Sequence, residues 1–266
     1  MKHLFLILVV ISLSGFGQTA DDYFDRGVAK YELQDYTGAI SDFNNAIRLN
    51  TDDADSYYNR GLAKYYLQDY NGAIADYNKA IRLNTDYANN YYNRGLARYY
   101  LQDYNGAIAD YNKAIQLDPD NVSAYLNRGI AKSKLQVYTG AISDYNKAIQ
   151  LNPDYADAYN SKALAKCGLE DYRGAITDYN KAIQLDPYYA DAYCNRGLTK
   201  SYLKDYNGAI EDYNKAIQLN PNDALAYNNR GVAKYLLNDK NGACLDWSKA
   251  GELGCDAYTN IQKYCK

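Results

Sequence analysis

Beyond residue 3 the chain contains no histidine. His3 falls in an apolar leader, so the rest of the chain lacks the commonest general base and the commonest zinc ligand. No GxGxxG, P-loop, HExxH or GxSxG occurs, which removes the usual dinucleotide, nucleotide-phosphate, zincin and serine-hydrolase signatures. Acids are numerous but periodic, and no singular pair stands out for glycoside chemistry. The five cysteines, at 167, 194, 244, 255 and 265, fit neither a zinc ribbon nor a CxxC redox motif. Catalytic residues, a metal and a cofactor are therefore not expected. An excess of one charge is missing too, since 29 Lys and Arg face 32 Asp and Glu. The signs are interleaved, which leaves no footprint for nucleic acid or an anionic membrane.

Long apolar runs are also scarce. The stretch Leu4–Leu13, apolar apart from Ser12, follows Lys2 and precedes the small-residue segment ending at Ala20. That order is the layout of a secretory signal peptide over residues 1–20, with cleavage after Gly17 or Ala20. The run is about half the ~20 residues that span a bilayer, so no membrane span is expected in the mature chain. An uncleaved anchor is the alternative. Export to the periplasm, the cell surface or the medium follows from the first reading. Removing the leader leaves 28 basic and 32 acidic side chains, a net charge of −4.

What is present is one phrase, written repeatedly. Residues 69–81 return unchanged at 103–115 and with one change, at Glu211, at 205–217. Starting at Ala20, seven units of 34 residues follow: 20–53, 54–87, 88–121, 122–155, 156–189, 190–223 and 224–257. The fourth residue of each unit is Tyr, and the eighth is Gly except at Ala163. The twentieth and twenty-seventh are Ala, and the twenty-fourth is aromatic, from Phe43 through five tyrosines to Trp247. Tyr57, Gly61, Leu62, Tyr65 and Tyr66 recur at helical spacing, as do Ala73, Tyr77, Ala80 and Ile81. Asp69 stands where it can cap the second of these helices. All four prolines (119, 153, 187 and 221) sit at the thirty-second position, where they stop the second helix. Thr51 and Thr85 replace them in the first two units, where a softer stop is expected.

A helix–turn–helix of 34 residues with these small, aromatic and proline positions resembles the tetratricopeptide repeat (TPR), of an exported bacterial type, over residues 20–257. The resemblance implies an all-α fold, an α–α superhelix of about seven repeats with first helices along a concave face. Each repeat is then buried only against its neighbours and the ends need caps. Residues 256–266 are the expected C-terminal capping helix. One departure stands out. The seventh position is Arg, or Lys162, and the eleventh is Lys or Arg, where the family pattern is apolar. The twenty-third is Asp in every unit, from Asp42 to Asp246. Seven acids matched to seven basic pairs predict an ion-pair ladder between the helices; a basic ligand track is the alternative.

The resemblance also implies that the second, fifth, ninth and twelfth positions face the groove, with the sixth and thirteenth at its margin. Those positions hold Tyr58, Asn59 and Tyr65 in the second unit, Tyr92, Asn93 and Tyr99 in the third, and Asn127 in the fourth. From the fourth unit the tyrosines give way to smaller and more polar residues such as Ser133, Asn160, Cys167, Cys194 and Ser201. Tyrosine offers apolar area with a polar tip, and Asn offers a donor and an acceptor for a peptide backbone. The expected function is a non-enzymatic interaction scaffold, with these residues binding a peptide or protein segment and the groove tyrosines pointing away from the helix–helix core. Tyrosines stacking on sugar rings, in a carbohydrate-binding protein or enzyme, are the alternative. The lysine clamp by which some family members grip C-terminal carboxylates is missing, because the second position is mostly acidic (Asp21, Asp55, Asp157, Asp191). An acidic tail is not the expected ligand. Finally, a hairpin turning near Gly254 would set Cys244 and Cys265 about ten residues to either side. They then either face each other as a disulfide, as in other exported proteins, or remain thiols that fill space.

Overall fold

The computed structural model describes residues 18–256 and 258–265. Leader residues 1–17 lie outside them. Among the described residues all regular structure is helical. The chain divides into two compact units that meet in sequence at Pro119 and Asp120. The first unit holds α1 (Ala20–Glu32), α2 (Tyr36–Leu49), α3 (Ala54–Tyr66), α4 (Tyr70–Leu83), α5 (Ala88–Tyr100) and α6 (Tyr104–Leu117). The second holds α7 (Val122–Lys134), α8 (Tyr138–Leu151), α9 (Ala156–Gly168), α10 (Tyr172–Leu185) and α11 (Ala190–Tyr202). It continues with α12 (Tyr206–Leu219), α13 (Ala224–Leu236), α14 (Lys240–Glu252) and the short α15 (Tyr258–Tyr264).

The helix ends have local causes. The first helix of the array opens on a capping box, with Thr19 and Asp22 exchanging side-chain and backbone bonds at 2.9 and 3.1 Å. In each second helix but one an Asp caps the N-terminus; Asp69 Oδ1, for example, accepts from Gly72 N at 2.9 Å. Val137 takes that place before α8 and makes no such bond. Between the two helices the chain turns through one residue with φ of 60–68°, always a non-glycine, from Gln34 to Asn238. Its neighbours close a Schellman turn: Gln68 N donates to Tyr65 O and Asp69 N to Lys64 O, both at 2.9 Å.

The softer stop expected at Thr51 and Thr85 does not occur. The second helices end at Leu49 and Leu83 just as others end at Leu117, Leu151, Leu185 and Leu219, all at the same position of the repeat. The Asn or Asp that follows bends the chain by itself. Asn50 Oδ1 accepts from Asp52 N and Asn84 Oδ1 from Asp86 N at 3.2 Å, and Asn220 does the same for Asn222 beside its proline.

Close packing rests on small residues. The alanines at positions twenty and twenty-seven are wholly buried in all seven repeats. At Gly61 an added Cβ would come within 2.8 Å of the Tyr77 ring. In the fifth repeat Ala163 fills the equivalent site and packs in one cluster with Tyr179. The ion ladder is formed. Asp76, nearly buried, accepts from Arg60 Nε at 2.9 Å and pairs with Lys64 Nζ at 2.8 Å. Each of the seven aspartates holds two cations in this manner, Lys162 and Lys166 serving Asp178. The Arg60 guanidinium also lies 5.3 Å from the Tyr57 ring centre and donates through Nη1 to Asn44 of the preceding repeat at 2.7 Å. The basic pairs are thus engaged inside the fold, not laid out as a ligand track.

Within each unit a first helix also touches the next first helix, whereas among the described residues no second helix touches another second helix. The first helices therefore line the inside of each unit's curve. At the C-terminus α15 packs on α14, with Ile261 and Tyr264 against Trp247 and its neighbours. There Cys244 and Cys265 are joined in a disulfide with their Cα atoms 5.7 Å apart.

Candidate functional site

The inner face of the first unit is a sheet of tyrosine on tyrosine. Tyr36 stacks on Tyr66 with ring centres 5.1 Å apart, and Tyr70 stacks on Tyr100 at 5.2 Å, both nearly parallel. Tyr65 meets Tyr66, Tyr70 and Tyr100 edge-on at 5.5–5.8 Å. Tyr99 joins Tyr100 and Tyr104, and Tyr31 joins Tyr36 and Tyr66. Eight rings, from Tyr31 to Tyr104, form one connected run across three repeats. The expectation that Tyr65 and Tyr99 point away from the packing is therefore corrected. Tyr65 belongs to the cluster around Tyr77, Leu62 and Tyr70. Burial pushes the Tyr65 hydroxyl above the usual range, and the Tyr100 hydroxyl adds to the shift. Tyr58 is raised likewise, by burial and then by Tyr87. Tyr58 and Tyr65 therefore stay protonated at ordinary pH.

The other candidate residues are placed as follows. Tyr58 packs on Tyr87 and Tyr77, with ring centres at 5.3 and 6.1 Å, and its hydroxyl accepts from Asn93 Nδ2 at 3.0 Å. Tyr92 lies against Tyr111 at 6.0 Å. The asparagines turn their donors inward: Asn59 Nδ2 gives its proton to Asp55 O, Asn93 to Asn89 O, and Asn127 to Ser123 O, at 2.9–3.0 Å. So Tyr58 and Asn93 are brought together, while Asn127 belongs to the second unit, on α7.

The second unit is different. In its first three repeats the twelfth positions hold Ser133, Cys167 and Ser201 in place of tyrosine, which returns at Tyr235. Ser133 Oγ reaches the Tyr145 hydroxyl at 3.1 Å, and Cys167 Sγ lies 3.2 Å from Thr199 Oγ1. At position five Asn160 and Cys194 stand where the first unit has Tyr58 and Tyr92, and they line a cavity of about 410 Å³ between α9, α11 and the start of α13. Its walls carry the carboxylates of Asp191 and Asp223 and the amides of Asn160, Asn195 and Asn220. Leu164 and Leu225, exposed by 47% and 62%, and Cys194 complete the lining. The amides are partly tied together, Asn195 Nδ2 to Asn160 Oδ1 and Asn160 Nδ2 to the Tyr189 hydroxyl, both at 3.3 Å. Asp223 caps α13 through Leu225 N at 3.0 Å and Ala226 N at 3.1 Å. Neither Asp191 nor Asp223 has a cationic partner among the described residues. Burial, and then the charges of Asp223 and Asp191, push the Cys194 thiol up to about 12, so it stays protonated. The sequence signals this cavity only as tyrosine replaced by Asn160 and Cys194 at position five, and nothing in it marks Asn220 or Asp223.

Among the described residues no cluster of His, Cys, Asp or Glu could hold a metal ion, and no helix is long and apolar enough to cross a membrane. Comparison with known proteins agrees with the repeat architecture. A family model described as "TPR repeat" matches residues 21–68, 61–101, 95–136, 134–169 and 163–200, and one described as "Tetratricopeptide repeat" matches 190–223. The chain belongs to the tetratricopeptide repeat family, and its fold is all-α, of the α–α superhelix class. No curated protein matches it. Among solved structures it is similar to a tetratricopeptide repeat protein from Parabacteroides merdae, with 22% identity and a TM-score of 0.74 over 92% of this chain and 97% of that one. YrrB, described as a TPR protein with an unusual peptide-binding site, is 27% identical, with a TM-score of 0.58 over 69% of this chain and 95% of its own. MamA is 29% identical, with a TM-score of 0.55 over 64% of this chain and 97% of its own.

Proposed function

We propose that the protein is a non-catalytic scaffold whose first-helix face binds an extended peptide or protein segment. The observation that carries this reading is the division of labour between helix faces. The cationic side chains at positions seven and eleven are engaged between helices. The first-helix face, in contrast, keeps exposed apolar area at Tyr66, Tyr100, Leu164, Leu198 and Leu225. Membership of a family of repeat scaffolds and the likeness to a peptide-binding relative support it. In the second and third repeats Tyr58, Tyr65, Tyr92 and Tyr99 supply ring edges. Asn59 and Asn93, their donors held by their own helices, offer carbonyl oxygens to a partner's backbone N–H groups, and Asn127 serves the fourth. A carbohydrate platform is less well supported, because rings that would stack on a sugar stack on one another. We place the scaffold outside the cytoplasm, an assignment supported by the leader and by a disulfide, which oxidising compartments favour.

Position-resolved photo-crosslinking tests the reading. A photoreactive phenylalanine at Tyr66, Tyr100 or Leu198 should capture the partner, and one at Lys113 or Lys181 on second helices should not. Capture from the second-helix positions alone would place the binding face elsewhere.

A further inference from the structure

Two sets of aspartates in this protein contrast in their pairing. The seven aspartates between the helices each hold two cations. Asp191 and Asp223 line an open cavity in the second unit and hold none among the described residues. Next to them Asp157 faces the Tyr189 hydroxyl, whose own ionisation is suppressed by burial and then by Asp157. No Lys or Arg side chain lines the cavity.

We propose that this cavity is the specificity pocket of the groove and receives a lysine or arginine side chain, so that the partner is a basic segment. The inference rests on the groove being the binding face. Its volume of about 410 Å³ accommodates one long side chain with room for water. A cation entering it meets two carboxylates and the Asn220 amide oxygen, and each charged hydrogen bond made there is stronger than a neutral one. Leu164 and Leu225 are exposed parts of the lining, where the alkyl stem of Lys or Arg can lie on apolar surface with its head inside. In the same row of side chains Asn228 Oδ1 is buried and accepts no hydrogen bond from the described residues. An acidic ligand would bring like charges together without any nearby cation to relieve them. A neutral one would leave both carboxylates unpaired and partly desolvated.

A phage-displayed library of random dodecapeptides, selected on the mature full-length protein, reads this out directly. The variant D191N/D223N serves as the comparison, with D191N alone as the milder form. Asn is as good an N-cap as Asp, so Asp223→Asn keeps α13 capped, and Asp191 is exposed, so helicity by circular dichroism should be unchanged. The expected result is enrichment of Lys- or Arg-bearing peptides on the wild type. The best of them should lose at least tenfold in affinity on either variant and weaken as salt is raised. Peptides that bind without a basic residue, or equally well to the variants, would overturn the pocket assignment and leave the groove reading standing. Enriched peptides that still bind when the groove is blocked by bulky substitution at Leu198 would overturn both.

Discussion

The first unit fills the face of its first helices with tyrosine, and the fifth and sixth repeats of the second unit empty it. In the first, Tyr65 and Tyr99 sit in a run of eight touching rings. In the second, Cys167 and Ser201 occupy the equivalent places and a cavity opens beside Cys194 and Asn160. The frame beneath is the same in both: Asp76 and Asp212 are each held by an Arg and a Lys at closely similar distances. A repeat protein can therefore exchange packing for binding space at two positions without touching the frame. Positions five and twelve can vary because, although Tyr58 and Tyr65 pack on Tyr77, neither takes part in the ion-pair ladder.

The largest expected effect tests whether the frame is shared. Asp76→Ala in the first unit and Asp212→Ala in the second each strand two partly buried cations, and each should cost about 3–5 kcal/mol in urea unfolding. Unequal costs would show that the two units do not rest on one frame. Next is the disulfide, which belongs to the second unit alone. Reduction, or Cys244→Ser, should lower stability by about 3 kcal/mol for a closed loop of this length, and protease should then release the C-terminal helix first. The third separates filled from empty faces. Tyr65→Ser, which imports the residue of the sixth repeat, should cost about 2 kcal/mol because the ring packs on three others. Cys194→Ala, beside the cavity, should change the unfolding midpoint little.

The smallest effect turns on one hydroxyl. The Tyr77 and Tyr111 hydroxyls are buried without a hydrogen-bond partner among the described residues, whereas Tyr145 has Ser133 at 3.1 Å. Tyr77→Phe should be neutral or stabilising by up to about 1 kcal/mol, and Tyr145→Phe should cost about 1 kcal/mol. Tyr213, in the second unit, shares the unpartnered state of Tyr77, so calorimetry of the two variants that gave the same sign would refute a difference between hydroxyls, not between units.

Much of the frame was legible before any coordinates. The period located the helices, and the coincidence of Asp42 with Arg26 and Lys30 in every copy predicted the ladder that forms. What escaped lies across repeat boundaries. Asn44, Asn78, Asn180 and Asn214 each accept a guanidinium proton from the next repeat's Arg. Their recurrence at the twenty-fifth position was visible, but a pairing sought within one unit cannot find a partner in the next. The same holds for Tyr36 on Tyr66, which joins the turn of one repeat to the end of the next first helix. The φ of about 62° at Gln68 had no sequence signal, since glycine is the residue that marks such a turn. Proline is conspicuous at the second-helix stop, but Asn50, Asn84, Asn152, Asp186 and Asn220 make the same bend with or without it.

The fifth repeat has Lys162 where its neighbours in the second unit have Arg196 and Arg230. Lys162 reaches Asp178 at 2.9 Å, but it has no second arm, and Asn146 receives nothing from it among the described contacts. The bonds that Asn180 and Asn214 make with the following repeat have no counterpart at this junction. Under mechanical load the unit then behaves as a spring with one soft coil. Drawn out in an optical trap, it should rip first between the fourth and fifth repeats, at the lowest force, while the disulfide-clipped end extends last. Lys162→Arg would stiffen that coil and raise the force of the first rip toward the others.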